Sequence, residues 1–354
     1  MDILNQLPLP QTAKVGYPWT ESSVDTPQYE MTEMPKISII TPSLNQGQFI
    51  EATIRSVLLQ NYPNLEYIII DGGSIDETVE LIKKYGKWIT FWVSEPDNGQ
   101  SDAINKGLII ATGDIFNWLN SDDLLAPNAL WAIGRYFKSN TNTKALIGYL
   151  QFLNKDNQLS EPYRMKFNKE DTPKSMILSG MTQQSLFYKL ESVKQIGGID
   201  ANIHFCMDLA LWTCFLSAFS TKEVALSDSI FAYFRIHAQA KSQLEFKVYC
   251  ERREVLLSML KELELPNMFF QKLKFDSKLK DFNKKWSFDK AILNKNALTA
   301  YIVEHLLTIP HFDYSISYSI RLWLYSLLKK AFGRQTYFYT LPLRLVFRKI
   351  KKLL

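Results

Sequence analysis

Between Lys36 and Asp123 four short apolar runs, Ile37 to Ile40, Tyr67 to Ile70, Thr90 to Val93 and Ile115 to Leu119, alternate with segments of helical periodicity. Each run has the length and the β-branched or aromatic content of a strand. Phe49 to Gln60 carries apolar residues at helical spacing, Ser74 and Glu77 form a capping-box pattern for a helix to about Tyr85, and a third helix is predicted from near Ser101 to before Gly113. Strands alternating with helices imply an α/β fold whose mostly parallel sheet is joined by right-handed crossovers. In such a sheet, ligands bind beyond the carboxyl ends of the strands.

Every run is followed at once by a polar cluster: Thr41-Pro42-Ser43, Asp71-Gly72-Gly73-Ser74, Ser94-Glu95-Pro96-Asp97 and Asn120-Ser121-Asp122-Asp123. One such cluster is an ordinary strand-to-helix turn, where Asp, Gly and Ser serve the backbone. Four on one sheet edge describe a site. No lysine lies in any of them and no GxxxxGK occurs, which excludes a loop that cradles phosphates directly. Carboxylates that face a phosphate need a cation between them, and hard oxygen donors suit Mg²⁺ or Mn²⁺.

The residues flanking this block differ from it. Residues 1–35 are rich in Pro, Thr, Ser and Gln without sustained periodicity, and are expected to form an extended arm rather than a packed element. Nine basic residues and no acidic one follow Asp313, so a net charge of +5 conceals a mildly acidic body and a basic tail. That division argues against nucleic acid as a partner of the body. Two stripes in the tail, Ile320 to Ala331 and Leu343 to Leu354, repeat at helical spacing with Lys and Arg opposite, the pattern of a helix that docks on protein or lies on an anionic membrane surface. No run approaches the roughly 18 uncharged apolar residues of a membrane span. Cys206, Cys214 and Cys250 form no paired motif. The expected setting is therefore cytoplasmic, with the tail as a peripheral contact to the inner face of the membrane.

The stretches ISIITPSLNQGQFIEATIRSVLLQNYPNLEYIIIDGGSIDET, SEPDNGQSDAINKG and WLNSDD, in that order and spacing, closely resemble the bacterial family 2 glycosyltransferases of the GT-A fold. A looser likeness continues through Gly197-Gly198-Ile199-Asp200, Met207-Asp208 and Phe234-Arg235-Ile236-His237 to about Ser242. The resemblance implies a Rossmann-like, mixed sheet flanked by helices over residues 36–245, its nucleotide half at about 36–123 and its acceptor half at about 124–245. Residues 246–354 would be a helical appendage. It further implies that Thr41, Pro42, Ser43, Asp71, Gly73, Asp76, Asp102, Asn120 and Ser121 bind a nucleotide diphosphate sugar, a UDP-sugar being favoured. Asp71 would meet the base, with Asp76 in the same loop. Asp122, Asp123 and His237 would serve the metal. Asn120 stands where many members have Asp, which shifts metal binding to Asp122 and Asp123 without choosing between them; His237 also fits a buried core histidine. Asp208 resembles the catalytic base, with Met207 in place of the familiar Glu.

The implied chemistry suits these residue types. A diphosphate leaving group gathers negative charge that a divalent cation neutralises without proton transfer. An acceptor hydroxyl needs a base as the new bond forms, and in-line attack inverts the anomeric centre with one carboxylate as base. The expected function is an inverting, metal-dependent transferase acting on a glycan or lipid-linked acceptor in polysaccharide or cell-surface glycan synthesis. A nucleotidyltransferase would show a Gly-rich basic loop after the first strand, which Thr41-Pro42-Ser43-Leu44-Asn45 is not. A silent nucleotide-sugar-binding module would have no need of both Asp122-Asp123 and Asp208.

Overall fold

The structure, a computed structural model, describes residues 3–10, 14–22, 33–177, 180–263 and 294–308. Strands β1 (Ile37–Ser43), β2 (Leu65–Asp71), β3 (Phe91–Ser94) and β4 (Ile115–Trp118) are joined by helices α1 (Gly47–Leu58), α2 (Thr78–Lys84) and α3 (Gln100–Ile110). They pair in parallel in the order β3-β2-β1-β4. β5 (Leu124–Leu125), α4 (Ala129–Ser139), β6 (Ala145–Leu153), α5 (Thr172–Ile177), β7 (Leu186–Lys189), α6 (Leu190–Gln195), α7 (Met207–Phe219) and β8 (Val224–Arg235) complete the domain. The sheet continues from β4 as β7-β6-β8-β5, with β4–β7, β6–β7 and β5–β8 antiparallel and β6–β8 parallel. The expected mixed, mostly parallel sheet is present; β1 runs on to Ser43, β2 to Asp71 and β3 to Ser94, the polar clusters behind their apolar runs, while β4 ends at Trp118, before its cluster.

Alternation along the central strands explains why both faces are covered. Ile40, Ile68 and Ile70 belong to one core with α3 and α7, while Ile37, Ile39, Tyr67 and Ile69 belong to the other with α1, α2 and α4. α3 can lie close on β1 because residue 107 is glycine: a Cβ there would stand 2.6 Å from the Ile40 side chain.

Three expectations meet a different arrangement. Ser74 does not cap α2, because its hydroxyl donates to Asp71 Oδ1 at 2.5 Å and accepts from the Asn45 N–H at 2.7 Å. Asp76 supplies the cap, accepting from the Thr78 N–H at 3.0 Å and from the Gly47 N–H at 2.9 Å, which ties α2 to α1. The N-terminal arm is packed where it is described: the buried Arg55 guanidinium donates to the Pro8, Pro18 and Trp19 carbonyls at 2.9, 2.9 and 3.1 Å, and Leu7 joins the α1 core. A periodicity argument misses this because the arm is held by backbone carbonyls rather than by an apolar stripe. The helical C-terminal region appears as α8 (Glu245–Glu262) and α9 (Lys295–Thr308), but both pack into the core of α7 through Val255, Leu256, Leu298 and Ile302. No helix among the described residues is long and apolar enough to cross a membrane. The two basic stripes after residue 319 lie outside the described residues.

Candidate active site

At the carboxyl ends of β1 and β4 lies a cavity of about 590 Å³. Its walls include Pro42 and Ser43 at the end of β1, Gln46, Gln100, the Asn120-Ser121-Asp122 turn after β4, Gln184, Asp208 on the first turn of α7, Lys241, and Arg252 of α8. Three wall residues carry buried polar atoms without a protein partner: Ser43 Oγ, Gln46 Oε1 and Arg252 Nε.

The turn after β4 separates its two aspartates. Asp122 faces the cavity, with Oδ2 2.9 Å from His237 Nε2, and the other ring nitrogen of His237 is buried without a partner. Asp123 turns inward and is buried, accepting from the Arg235 N–H (2.9 Å), Gln184 Nε2 (3.0 Å) and Asn120 Nδ2 (3.1 Å). Burial and then the neighbouring Asp122 push the Asp123 carboxyl up from the usual range. Asn120 is further tied, its Oδ1 accepting from Gln100 Nε2 (2.7 Å), whose Oε1 accepts from Lys241 Nζ (2.9 Å). Among the described residues no cluster of three His, Cys, Asp or Glu side chains could hold a metal. A cation here would have the Asp122–His237 pair as its protein donors and would need oxygen donors from a ligand.

Thr53 of α1 holds this turn from beneath, its hydroxyl 2.9 Å from the Ser121 carbonyl and 2.7 Å from the Asp123 carbonyl. Replacing it by Val keeps the shape and leaves both buried carbonyls without this partner. Thr53→Val should lower stability by about 1–2 kcal/mol, measured as an earlier midpoint at unchanged slope in urea unfolding.

The loop after β2 is more self-contained. Asp71 is fully buried and lies off the cavity wall, its carboxylate accepting from the Gly73 and Ser74 N–H groups (3.2 and 2.9 Å) and from the Ser74 and Ser94 hydroxyls. Thr41, also buried, pairs with the Tyr67 hydroxyl at 3.2 Å, and Asp102 accepts from the Asn98 N–H at 3.0 Å, ordering the loop into α3. Thr41, Asp71, Gly73, Asp76, Asp102 and Asp123 thus shape the turns behind the cavity, whereas Pro42, Ser43, Asn120, Ser121, Asp122 and Asp208 form its surface.

Asp208 is the second residue of α7, with Oδ1 accepting from the Leu209 N–H at 2.7 Å. Burial pushes its carboxyl up from the usual range, against the opposing pull of that N–H and of the Arg252 guanidinium. A carboxylate of raised proton affinity on a cavity wall is suited to general-base work. Arg252, Lys241 and Gln184 carry no local signal in the sequence, because they reach the site from far along the chain, Gln184 to Asp123 across 61 residues and Lys241 to Gln100 across 141.

Comparison with known proteins gives a family match and several relatives. The description "Glycosyl transferase family 2" matches residues 38–205. An uncharacterized glycosyltransferase of Mycobacterium tuberculosis (strain H37Rv) is 40% identical over 94 residues, 26% of this chain and 36% of that protein. The chain thus spans about a third of that relative's length. The poly(ribitol-phosphate) β-N-acetylglucosaminyltransferase TarP of Staphylococcus aureus (strain N315) is 33% identical over 166 residues, 46% of this chain and 48% of TarP. Among solved structures, S. aureus TarS aligns with a TM-score of 0.55 at 16% identity over 85% of this chain and 50% of its own, and its 1–349 portion in complex with UDP-GlcNAc with a TM-score of 0.51 at 16% identity over 85% and 91%. The likeness to TarS shows the GT-A fold.

Proposed function

We propose that this chain, whose residues 38–205 belong to glycosyl transferase family 2, moves a sugar from a nucleotide diphosphate donor to an acceptor hydroxyl with inversion, using Asp208 as base and a divalent cation at Asp122 and His237. The observation that carries this reading is that Asp122, which lies 2.9 Å from His237 Nε2, and Asp208 line one cavity. The UDP-GlcNAc named in the TarS complex favours a UDP-sugar. A glycan or lipid-linked acceptor in cell-surface glycan synthesis remains the reading that the family resemblance supports.

In the proposed reaction the acceptor oxygen attacks the anomeric carbon, its proton passes to the Asp208 carboxylate, and the bond to the diphosphate breaks with its electron pair leaving on the diphosphate. The proton affinity of Asp208, raised by its burial, favours that transfer. Asp122 and His237 would hold Mg²⁺ or Mn²⁺, which supplies charge neutralisation for the leaving diphosphate when bound. Ser43, Gln46 and Arg252 line the same cavity and would orient bound substrate. Asp123, with Arg235 and Gln184, keeps the turn in the conformation that presents Asp122.

A thermal-shift panel of UDP-, GDP-, dTDP- and CMP-sugars with and without Mn²⁺ tests the reading. At a hundredfold excess over Kd, a donor should add about 2.7 kcal/mol of stability. UDP-sugars are expected to raise Tm with Mn²⁺, and EDTA is expected to remove most of the shift. A shift undiminished by EDTA would contradict the metal assignment, and no shift with any donor would contradict the reading itself.

A further inference from the structure

Helix α7 carries Asp208 one residue after its start, and its N-cap, Cys206, makes no side-chain capping bond. Cysteine is not a capping residue, and the N–H groups of residues 204–206, which lead into the helix, bond to a carboxylate from another element. They are held by Glu251 of α8. Its Oε1 accepts from the His204 N–H at 2.8 Å, and its Oε2 accepts from the Cys206 N–H at 2.8 Å and also from the Phe205 N–H. Glu251 is only 4% exposed, and Val255, Leu256 and Leu257 bury the next turn of α8 in the core of α7. Cys206 Sγ, 3.4 Å from the Val248 carbonyl, adds a second tie between the same two segments.

A carboxylate that takes up three consecutive N–H groups fixes that stretch of backbone more firmly than a neutral side chain can, since charge-assisted hydrogen bonds are roughly twice as strong as neutral ones. The stretch it fixes ends two residues before Asp208. We propose that Glu251 is a positioning residue for Asp208, holding residues 204–206 so that the Asp208 carboxylate is presented to the cavity. This inference rests on the reading of Asp208 as base. It also gives the helical region after residue 245, beyond the family match at 38–205, a part in the reaction.

Glu251 also acts on Asp208 through its charge. The groups that face Asp208 are Arg252 and Glu251 from α8, Cys206 and the Leu209 N–H from its own helix, and Tyr188 from β7. Of these, Arg252 and the Leu209 N–H favour the Asp208 anion, and Glu251 disfavours it. Removing the Glu251 charge therefore lowers the proton affinity of Asp208. The acid limb of the kcat/KM profile, where the base becomes protonated, then moves to lower pH.

The test compares Glu251→Gln and Glu251→Asp with wild type and with Asp208→Asn, using the nucleotide sugar that stabilises the protein most. Glu251→Gln keeps one acceptor oxygen and loses the charge; its kcat should fall on the order of 10–100-fold, as when an outer partner of a site is lost. Donor KM should change less than about threefold, because the contacts of Glu251 are not with the Asp122 side. Its acid limb should shift downward. Glu251→Asp keeps the charge but retracts the carboxylate by one methylene, so it should lose kcat without moving the limb. Wild-type kcat and an unmoved limb in Glu251→Gln would overturn the proposal. Should that variant fail to fold, wild-type kcat in Glu251→Asp would overturn it equally. If Asp208→Asn is inactive while both Glu251 variants turn over normally, only this inference fails; if Asp208→Asn transfers normally, the base assignment beneath it fails.

Discussion

Asp208→Asn should lower transfer by a factor on the order of 10²–10⁴ while leaving donor binding close to wild type, the loss expected when a positioned general base is removed. Asparagine keeps the size of the side chain, and its amide oxygen can still accept from the Leu209 N–H as Oδ1 does at 2.7 Å. What disappears is the proton acceptor, and with it a charge that burial already disfavours. Because burial raises the proton affinity of Asp208, wild-type transfer should decline on acidification above the ordinary carboxylate range of about 4. Calorimetric donor affinity set beside transfer rate checks both points. If Asp208→Asn loses activity only because it no longer binds donor, Asp208 is not the base.

The two neighbouring aspartates should give opposite phenotypes. Asp122→Asn removes the carboxylate that lies against His237 at 2.9 Å on the cavity wall. Metal-supported donor affinity should fall by at least the roughly 10–100-fold that outer-shell partners of metal sites carry, with little effect on stability. Asp123→Asn acts elsewhere, because both oxygens of Asp123 accept buried donors and an amide NH₂ would confront one of them. Its cost should appear in the fold, at about 1–3 kcal/mol, with a smaller loss of donor affinity. Urea unfolding and calorimetry with Mn²⁺ separate the pair. Equal effects of the two variants on donor affinity would contradict the division of roles.

Periodicity and turn chemistry made the fold of residues 36–123 legible. The four runs from Ile37 to Leu119 became β1 to β4, and the polar clusters behind them gather on the edge that the topology dictates. The cavity also brings together Asp122 and Asp208, which lie 86 residues apart and share no local pattern. A motif could not tell Asp122 from Asp123, because which of two adjacent side chains turns inward is decided by partners far along the chain, Gln184 and Arg235. The same reason hid Glu251: in the sequence it is one charge on a helix, and its meaning comes from three N–H groups 45 to 47 residues away. Asp71 shows the reverse, an acidic residue in a strong motif whose carboxylate is taken up by its own loop.

The most direct test of the account follows the nucleoside diphosphate released from the stabilising nucleotide sugar, with Mn²⁺ and with water or an added glycan as acceptor. Wild type and Asp208→Asn are compared at equal donor saturation. The account predicts release by wild type and a rate at least about a hundredfold lower in Asp208→Asn. Equal release by the two proteins, or none from wild type with UDP-, GDP- or dTDP-sugars, would contradict it.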